Sequence, residues 1–312
     1  MYFKEKNVKG RKYKYIVRTI RLPDNSIKHL EITYKNQPKE ELEKIFEAKE
    51  KKENLSYVLK KFKTNSIFTE EEFKKIEAIK INYRKIVKKL SKVSLEDLFD
   101  RFTANFTYES NALEGNSLTL KDVAIVMFEN ASIKGKDLRE VYETRNSREV
   151  VDLIMKNKFS ICHEDIIKMH KMLVRDIGVH EGYKTVPNIL IGRGIKTTLP
   201  ENVRSEMNKL IDWYKTNKEK VHPIELASIF HGRFEQIHPF EDGNGRVGRF
   251  LINVILIKNK YHPLIIRNSQ RIAYLKALEN FDNKHTDSLR RFILEKFRET
   301  YKKFFDIYIK YV

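Results

Sequence analysis

The sequence predicts a mostly α-helical protein: a helical bundle that carries a β-hairpin, preceded by an N-terminal β-hairpin and helices. Three observations carry that prediction. From residue 94 onward, apolar residues recur every three to four positions. Near the N-terminus, two stretches rich in β-branched and aromatic residues flank a turn cluster. Over 183–199 a Gly-punctuated, β-branched stretch too short for a helix interrupts the helical pattern. At 312 residues and 41% hydrophobic, the chain has ample material for a core and exceeds the usual length of one domain. We therefore expect an accessory module over 1–92 and a catalytic body over 93–312.

Residues 13–22 and 27–34 partly alternate, and Pro23-Asp-Asn-Ser26 between them is a turn cluster, so they read as a hairpin. Tyr13, Tyr15 and Val17 share one face of the first strand, and Leu30, Ile32 and Tyr34 share one face of the second. Such a ribbon must lean on another element. From Pro38 to about Phe62 the pattern turns helical, with Leu42, Ile45 and Phe46 at helical spacing. Thr69-Glu-Glu-Glu72 is a capping-box start for a second helix, along which Phe73, Ile76, Ile79, Tyr83 and Val87 repeat. Ser94-Leu-Glu-Asp97 opens the next. Helices are expected near 95–110, 118–131, 138–157, 163–176, 201–217, 223–236, 245–259, 269–281 and 285–310. The interruption over 183–199 reads as a second hairpin, in a position that suits a lid or substrate platform.

The net charge of +19 and pI near 9.6 permit an acidic partner such as nucleic acid, an anionic membrane or nucleotide phosphate. Lysine is spread along almost every segment, which equally fits a diffuse surface charge. The single cysteine, Cys162, excludes an internal disulfide and fits a reducing compartment, and nothing around it marks a reactive thiolate. The first residues lack the apolar run of a signal peptide, and no window approaches a membrane span. We expect a cytoplasmic protein. The sequence leaves its oligomeric state open, a homodimer included.

The chemistry is concentrated in His238-Pro-Phe-Glu-Asp-Gly-Asn-Gly-Arg-Val-Gly-Arg249, which runs directly into an apolar stretch over 250–257. A loop entering a buried helix offers backbone N–H groups and the positive end of the macrodipole, and glycines let a phosphate approach. His238 is able to accept a proton near neutrality, an imidazole having an unperturbed pKa of about 6.5. Because it precedes Pro239, it is expected in an extended segment. Asp242 is either the N-cap or a ligand for Mg²⁺ held jointly with phosphate oxygens. Gly243, Asn244 and Gly245 offer amides, and Arg246 and Arg249 lie three apart, on one side of a helix. Phe240 reads as a core plug.

This stretch resembles, without a departure, the motif H-P-F-x-[D/E]-G-N-G-R-x-x-R of the Fic (Fido) domain. The likeness extends more weakly over about 94–297. It implies a Fic-type helical bundle with a β-hairpin flap beside the motif. It also implies transfer of AMP from ATP to a Ser, Thr or Tyr hydroxyl of a protein, with pyrophosphate released. By the same resemblance His238 is the general base, and Asp242 holds Mg²⁺ on the α- and β-phosphates. Gly243, Asn244, Gly245 and Arg246 cradle phosphate, and Arg249 pairs with the γ-phosphate. A toxin branch that phosphorylates instead carries Lys in the place of Gly245, so the glycine favours nucleotidyl transfer. Ile191, Gly192 and Arg193 match the part of the flap nearest the nucleotide, and the flap would hold the target by strand pairing. Tyr274 resembles a tyrosine of the adenosine pocket, and equally reads as a core aromatic.

A second stretch, Ser110-Asn-Ala-Leu-Glu-Gly115, resembles the family's inhibitory helix signature [S/T]-x-x-x-E-[G/N], here on a helix over about 95–115. The likeness implies an ion pair between Glu114 and Arg249 that competes with the γ-phosphate, since one guanidinium cannot serve both anions. The combined expectation is a self-inhibited protein adenylyltransferase using ATP and Mg²⁺. Its target is a protein hydroxyl, its own included. Removal of AMP is a second capacity, with Glu114 positioning the water. The alternatives are a nucleic-acid-binding regulator built on the same scaffold and a transferase with another nucleotide donor.

Overall fold

A computed structural model of the chain describes residues 1–22, 26–129, 131–188 and 196–311. They form two compact units, Met1–Ile81 and Asn82–Val312.

The first unit starts with a three-stranded antiparallel meander, β1 (Tyr2–Val8), β2 (Arg11–Arg21) and β3 (Ile27–Thr33), in the order β1-β2-β3. The hairpin read from sequence is β2–β3, and β1 is an additional strand. Its signal is the turn. Lys9 and Gly10 both have positive φ, 52° and 80°, between the paired residues Val8 and Arg11, which is the two-residue connection whose twist matches a hairpin. The face that meets α1 (Lys39–Lys61) is Ile16 and Ile20 with Leu30, packed on Leu42 and Phe46. Arg18 lies between them over the Phe46 ring, 4.8 Å from its centroid. Tyr13, on the opposite face, is exposed. The unit ends inside α2 (Glu70–Lys89), where Thr69 Oγ1 accepts the Glu72 N–H at 3.2 Å. The boundary drawn from the sequence, after residue 92, lies one residue into the next helix.

The second unit is helical: α3 (Lys92–Leu113), α4 (Leu120–Ala124), α5 (Leu138–Met155), α6 (His163–Leu173), α7 (Pro200–Asn217), α8 (Pro223–Ile237), α9 (Asn244–Lys258), α10 (Arg271–Asp282) and α11 (Asp287–Thr300). α3 begins earlier than expected because Ser91, not Ser94, is its cap, accepting the Ser94 N–H at 3.1 Å. The helix expected over 118–131 is a short α-helical turn that widens to a π-helix at Ile125–Glu129. The C-terminal helix likewise passes through a π-turn at Tyr301–Phe305 into a 3-10 segment.

The bundle is built around α8 and α9, an adjoining pair whose apolar positions are buried on all sides. α7, α10 and α11 pack on α8, and α3, α5 and α6 pack on α9. The loop joining α8 to α9 is the His238–Gly243 segment, so the motif sits at the end of the central helix pair of the unit. No helix among the described residues is long and apolar enough to cross a membrane.

Candidate active site

His238 ends α8 in a left-handed conformation, φ 50° and ψ 62°, its N–H donating to Phe234 O at 2.9 Å. The extended backbone expected from Pro239 is therefore not what forms. Proline does exclude the right-handed helical region, but α8 closes with a left-handed residue, and position 238 is where it falls. The ring lies against the last turn of α8, with Nδ1 3.7 Å from Glu235 Oε2.

The loop after His238 is pinned from two sides. Phe240 is fully buried, as expected of a plug, and stacks on His170 with ring centroids 3.8 Å apart. His170 Nδ1 accepts the Gly182 N–H at 3.2 Å, so its Nε2 carries the proton and donates to Asp242 O at 3.1 Å. Burial pushes this imidazole down to about 4, which keeps it neutral. Asn244 clamps the same loop: its amide donates to Phe240 O at 2.8 Å and its oxygen accepts the Phe240 N–H at 2.9 Å. Asn244 thus presents its backbone, not its side chain, to a ligand.

Gly243 starts α9 at φ 80°, and Gly245 follows in the first turn, whose N–H groups the helix itself cannot satisfy. Arg246 is 2% exposed, with Nη1 3.2 Å from Glu143 Oε1 and Nη2 3.7 Å from Asp242 Oδ1. Its Nε is buried with no hydrogen-bond partner among the described residues. Asp242 itself is half-exposed and pairs with Arg139 Nη2 at 2.6 Å.

Arg249 is also 2% exposed, and α3 with its C-cap Glu114 supplies three acceptors. Nε donates to Ser110 Oγ at 3.0 Å, and Nη2 donates to Ser110 O at 2.7 Å and to Glu114 Oε1 at 2.8 Å. Burial pulls this guanidinium's pKa down, but Glu114, Tyr274 and Glu235 outweigh it and hold the group above its ordinary value. Glu114 is aimed by the way α3 stops. Gly115, at φ 99°, donates to Ala112 O at 3.0 Å, and Asn116 N–H reaches Asn111 O at 3.1 Å, the paired bonds of a Schellman ending. The carboxylate then lies directly over Gly245, where any Cβ would overlap it.

Tyr274 is buried, its hydroxyl 2.7 Å from His231 Nε2, and burial raises its phenol pKa. Ile191, Gly192 and Arg193 lie outside the described residues. The roots of their segment are described. Lys184, 3% exposed and pushed down to about 8 by burial, donates to Asn188 Oδ1 at 2.7 Å and Thr197 Oγ1 at 3.1 Å. Asn188 Nδ2 in turn donates to Phe240 O at 2.8 Å. Cys162 precedes α6 with no side-chain cap bond, and burial raises its thiol pKa.

The arrangement suits a polyphosphate. Two buried guanidiniums, one with an orphaned Nε, and a helix N-terminus converge beside an imidazole. Among the described residues no group of three or more His, Cys, Asp or Glu stands ready to hold a metal alone. Asp242 nevertheless fits Mg²⁺, which takes one carboxylate plus phosphate oxygens and waters, since only a half-exposed pair with Arg139 has to open. Glu143, Glu235, His170, Arg139 and Lys184 carry no motif. Their roles arise largely from tertiary neighbours, and the pairs visible as sequence patterns are Arg139–Glu143 at i, i+4 on α5 and Glu235–His238 at i, i+3 on α8.

Residues 160–256 match the model of the Fic/DOC family. The matched segment takes in the His238–Arg249 motif together with Lys184, Asn188 and Thr197, while Ser110, Glu114 and Tyr274 fall outside it. Protein adenylyltransferase Fic from Nematostella vectensis is 31% identical over 192 residues, covering 60% of this chain and 45% of that protein. Protein adenylyltransferase fic-1 from Caenorhabditis elegans is 29% identical over 180 residues, covering 55% and 35%. The chain thus spans less than half the length of these relatives. Its fold is similar to that of a Fic-domain-containing signaling protein from Bacteroides thetaiotaomicron, with a TM-score of 0.68 at 24% identity over 75% of this chain and 95% of the other. A Fic family protein from Desulfovibrio desulfuricans gives a TM-score of 0.59 at 25% identity, with 73% of each chain covered.

Proposed function

We propose that this chain is a self-inhibited protein adenylyltransferase that moves AMP from ATP to a hydroxyl side chain of a protein. The observation that carries the reading is the Glu114 carboxylate on Arg249, over Gly245, at the N-terminus of α9. A carboxylate held there mimics the terminal phosphate it excludes. The names borne by the relatives support the activity, and Gly245, where the resemblance puts Lys in phosphorylating relatives, supports transfer of the nucleotidyl group.

His238 takes the hydroxyl proton as the substrate oxygen attacks the α-phosphorus. The first-turn N–H groups of α9 and Arg246 bind the charge that builds on the phosphate oxygens, and Arg249 holds the γ-phosphate once Glu114 withdraws. Mg²⁺, held by Asp242 and phosphate oxygens, neutralises charge on the α- and β-phosphates when bound. Segment 189–195 presents the target by backbone pairing, which explains why no feature of the sequence names that target. The single cysteine suits a cytoplasmic setting.

The test is α-labelled ATP and Mg²⁺ with wild type, Glu114→Gly, and Glu114→Gly combined with His238→Ala, following label on protein. Wild type is expected to be nearly silent, Glu114→Gly active and the double variant silent. A Glu114→Gly protein that binds ATP but transfers nothing refutes the reading, and a panel of labelled donors then separates a different nucleotide from no activity at all.

A further inference from the structure

We infer that Glu235 is a positioning residue for His238: its buried carboxylate faces the Nδ1 proton of the ring and leaves the Nε2 lone pair to receive the proton of the target hydroxyl. The inference rests on the transferase reading only in naming that hydroxyl.

Glu235 lies one turn before His238 on α8, is 4% exposed, and has Oε2 3.7 Å from His238 Nδ1. A carboxylate at this depth is costly. The neighbouring inward positions of α8 are Ala227, Phe230, Phe234 and Ile237, and an ionised group among them needs a positive or proton-donating neighbour to be tolerated. The groups that face it are few. On α8 they are His231 and His238. From α9 comes Arg249, whose guanidinium Glu235 holds up, and Gly248, where a Cβ would lie 2.8 Å from Glu235 Oε1. From α10 comes Tyr274, whose phenol Glu235 pushes up. Glu235 therefore sits between the ring that takes a proton and the arginine that takes a phosphate.

The geometry sets the tautomer. An imidazole whose Nδ1 faces a carboxylate carries its proton there, and its basic lone pair is then on Nε2. The left-handed backbone at 238 is what accompanies this placement, with the ring lying against the last turn of α8. A separation of 3.7 Å is an ion-pair distance, and catalytic hydrogen bonds of this kind shorten when substrate binds. In the reaction the substrate O–H bond breaks and an Nε2–H bond forms. The oxygen's electron pair bonds the α-phosphorus as the bond to the bridging oxygen of pyrophosphate breaks, and that pair leaves with pyrophosphate. The imidazolium so formed is stabilised by the adjacent carboxylate, the role an acid plays beside a catalytic histidine.

Nitrogen-15 NMR of histidine-labelled protein reads the ring directly, without any turnover. In the unmodified chain His238 is expected as the Nδ1–H tautomer, and finding Nε2–H overturns the proposal even if no variant folds. Glu235→Gln keeps an acceptor and loses the charge. It should retain the tautomer and lower the His238 titration midpoint by roughly one pH unit, whereas Glu235→Leu should lose the tautomer preference. In the Glu114→Gly background, Glu235→Gln should move the acidic limb of the pH–rate profile with the midpoint and cut kcat about tenfold or more. KM for ATP should stay within about twofold, since the phosphate-binding groups are intact. Glu235→Asp should restore part of the rate. An unmoved midpoint and an unmoved pH profile in a folded Glu235→Gln protein overturn the proposal. A midpoint that moves while Glu114→Gly transfers no AMP leaves Glu235 in place and removes the transferase reading instead.

Discussion

The Glu114 carboxylate is seated on the Arg249 guanidinium, Oε1 2.8 Å from Nη2, in the space that a Cβ on Gly245 would need. One contact therefore couples three elements: the end of α3, the first turn of α9, and the guanidinium that α9 carries one turn later. Under the proposed function, nucleotide and Glu114 compete for Arg249, which makes binding and inhibition two sides of one equilibrium.

ATP should stabilise the variant more than the wild type. Glu114→Gly removes the paired carboxylate from a buried guanidinium that keeps its Ser110 bonds, so without nucleotide its melting temperature should fall by several degrees, about 1–3 kcal/mol. With His238→Ala added to prevent turnover, saturating ATP and Mg²⁺ should return about 2–3 kcal/mol, the gain at a hundredfold excess over Kd. Differential scanning fluorimetry measures both, and equal ATP shifts in the presence and absence of Glu114 would contradict competition at Arg249.

Gly245→Ala should be destabilising for a reason that Glu114→Gly removes. In the otherwise unmodified chain the new methyl meets the Glu114 carboxylate, an overpacking cost of about 1–3 kcal/mol. Combined with Glu114→Gly the main clash is gone, although Arg249 Nη1 would still lie 2.9 Å from the methyl. Denaturant unfolding of the four proteins in a double-mutant cycle should give a coupling of at least about 1 kcal/mol, and additive effects would separate the two residues.

Glu143 should matter to both arginine and inhibitor. Its Oε1 pairs with Arg246 at 3.2 Å, and its Oε2 accepts from Asn116 Nδ2 at 3.0 Å just beyond the Schellman ending. Glu143→Ala leaves Arg246 buried with only the weaker Asp242 contact, and should cost about 2–4 kcal/mol. Glu143→Gln keeps the Asn116 bond and should cost less. Label transfer by Glu143→Gln above the wild-type background would show that the two carboxylates act together.

Stability should fall between pH 7 and 5 through a residue remote from the motif. His262 is fully buried against Phe297, ring centroids 4.0 Å apart, and burial pushes it down to about 3. Unfolded, it titrates near 6.5, so below that pH the unfolded chain binds the proton and the folded one does not. Its contribution is present above pH 6.5 and is lost progressively as pH falls toward 3, amounting to about 2 kcal/mol by pH 5. His262→Phe keeps the stack, loses a 2.8 Å contact with Pro263 O, and should lessen the pH dependence of the urea midpoint over this range by about half, the buried His170 supplying the remainder.

The helical body and the motif were legible because they are local: apolar spacing marks α5 to α11, and the twelve residues ending at Arg249 are contiguous. What escaped is conformational or tertiary. β1 reads as a charged alternation with little apolar signal, and its evidence is the Lys9–Gly10 turn. His238 follows the demand of the α8 terminus over the usual preference before proline. Asn244 reads as a phosphate ligand from sequence, yet its side chain closes the loop on Phe240. Glu143 and Glu235 have helical spacings to Arg139 and His238, but their contacts with Arg246 and Arg249, like those of His170 with Asp242 and Gly182, come from other elements and left no mark in the sequence.

Lys184 ties together the two described residues that flank 189–195. One buried ammonium ties Asn188 to Thr197, and Asn188 is bonded to Phe240, so the anchorage of both ends is written outside the segment itself. The carbonyl of Phe240 is therefore held twice, by Asn188 from outside the motif and by Asn244 from within it, so the registration of the His238 loop is shared between two separate stretches of chain.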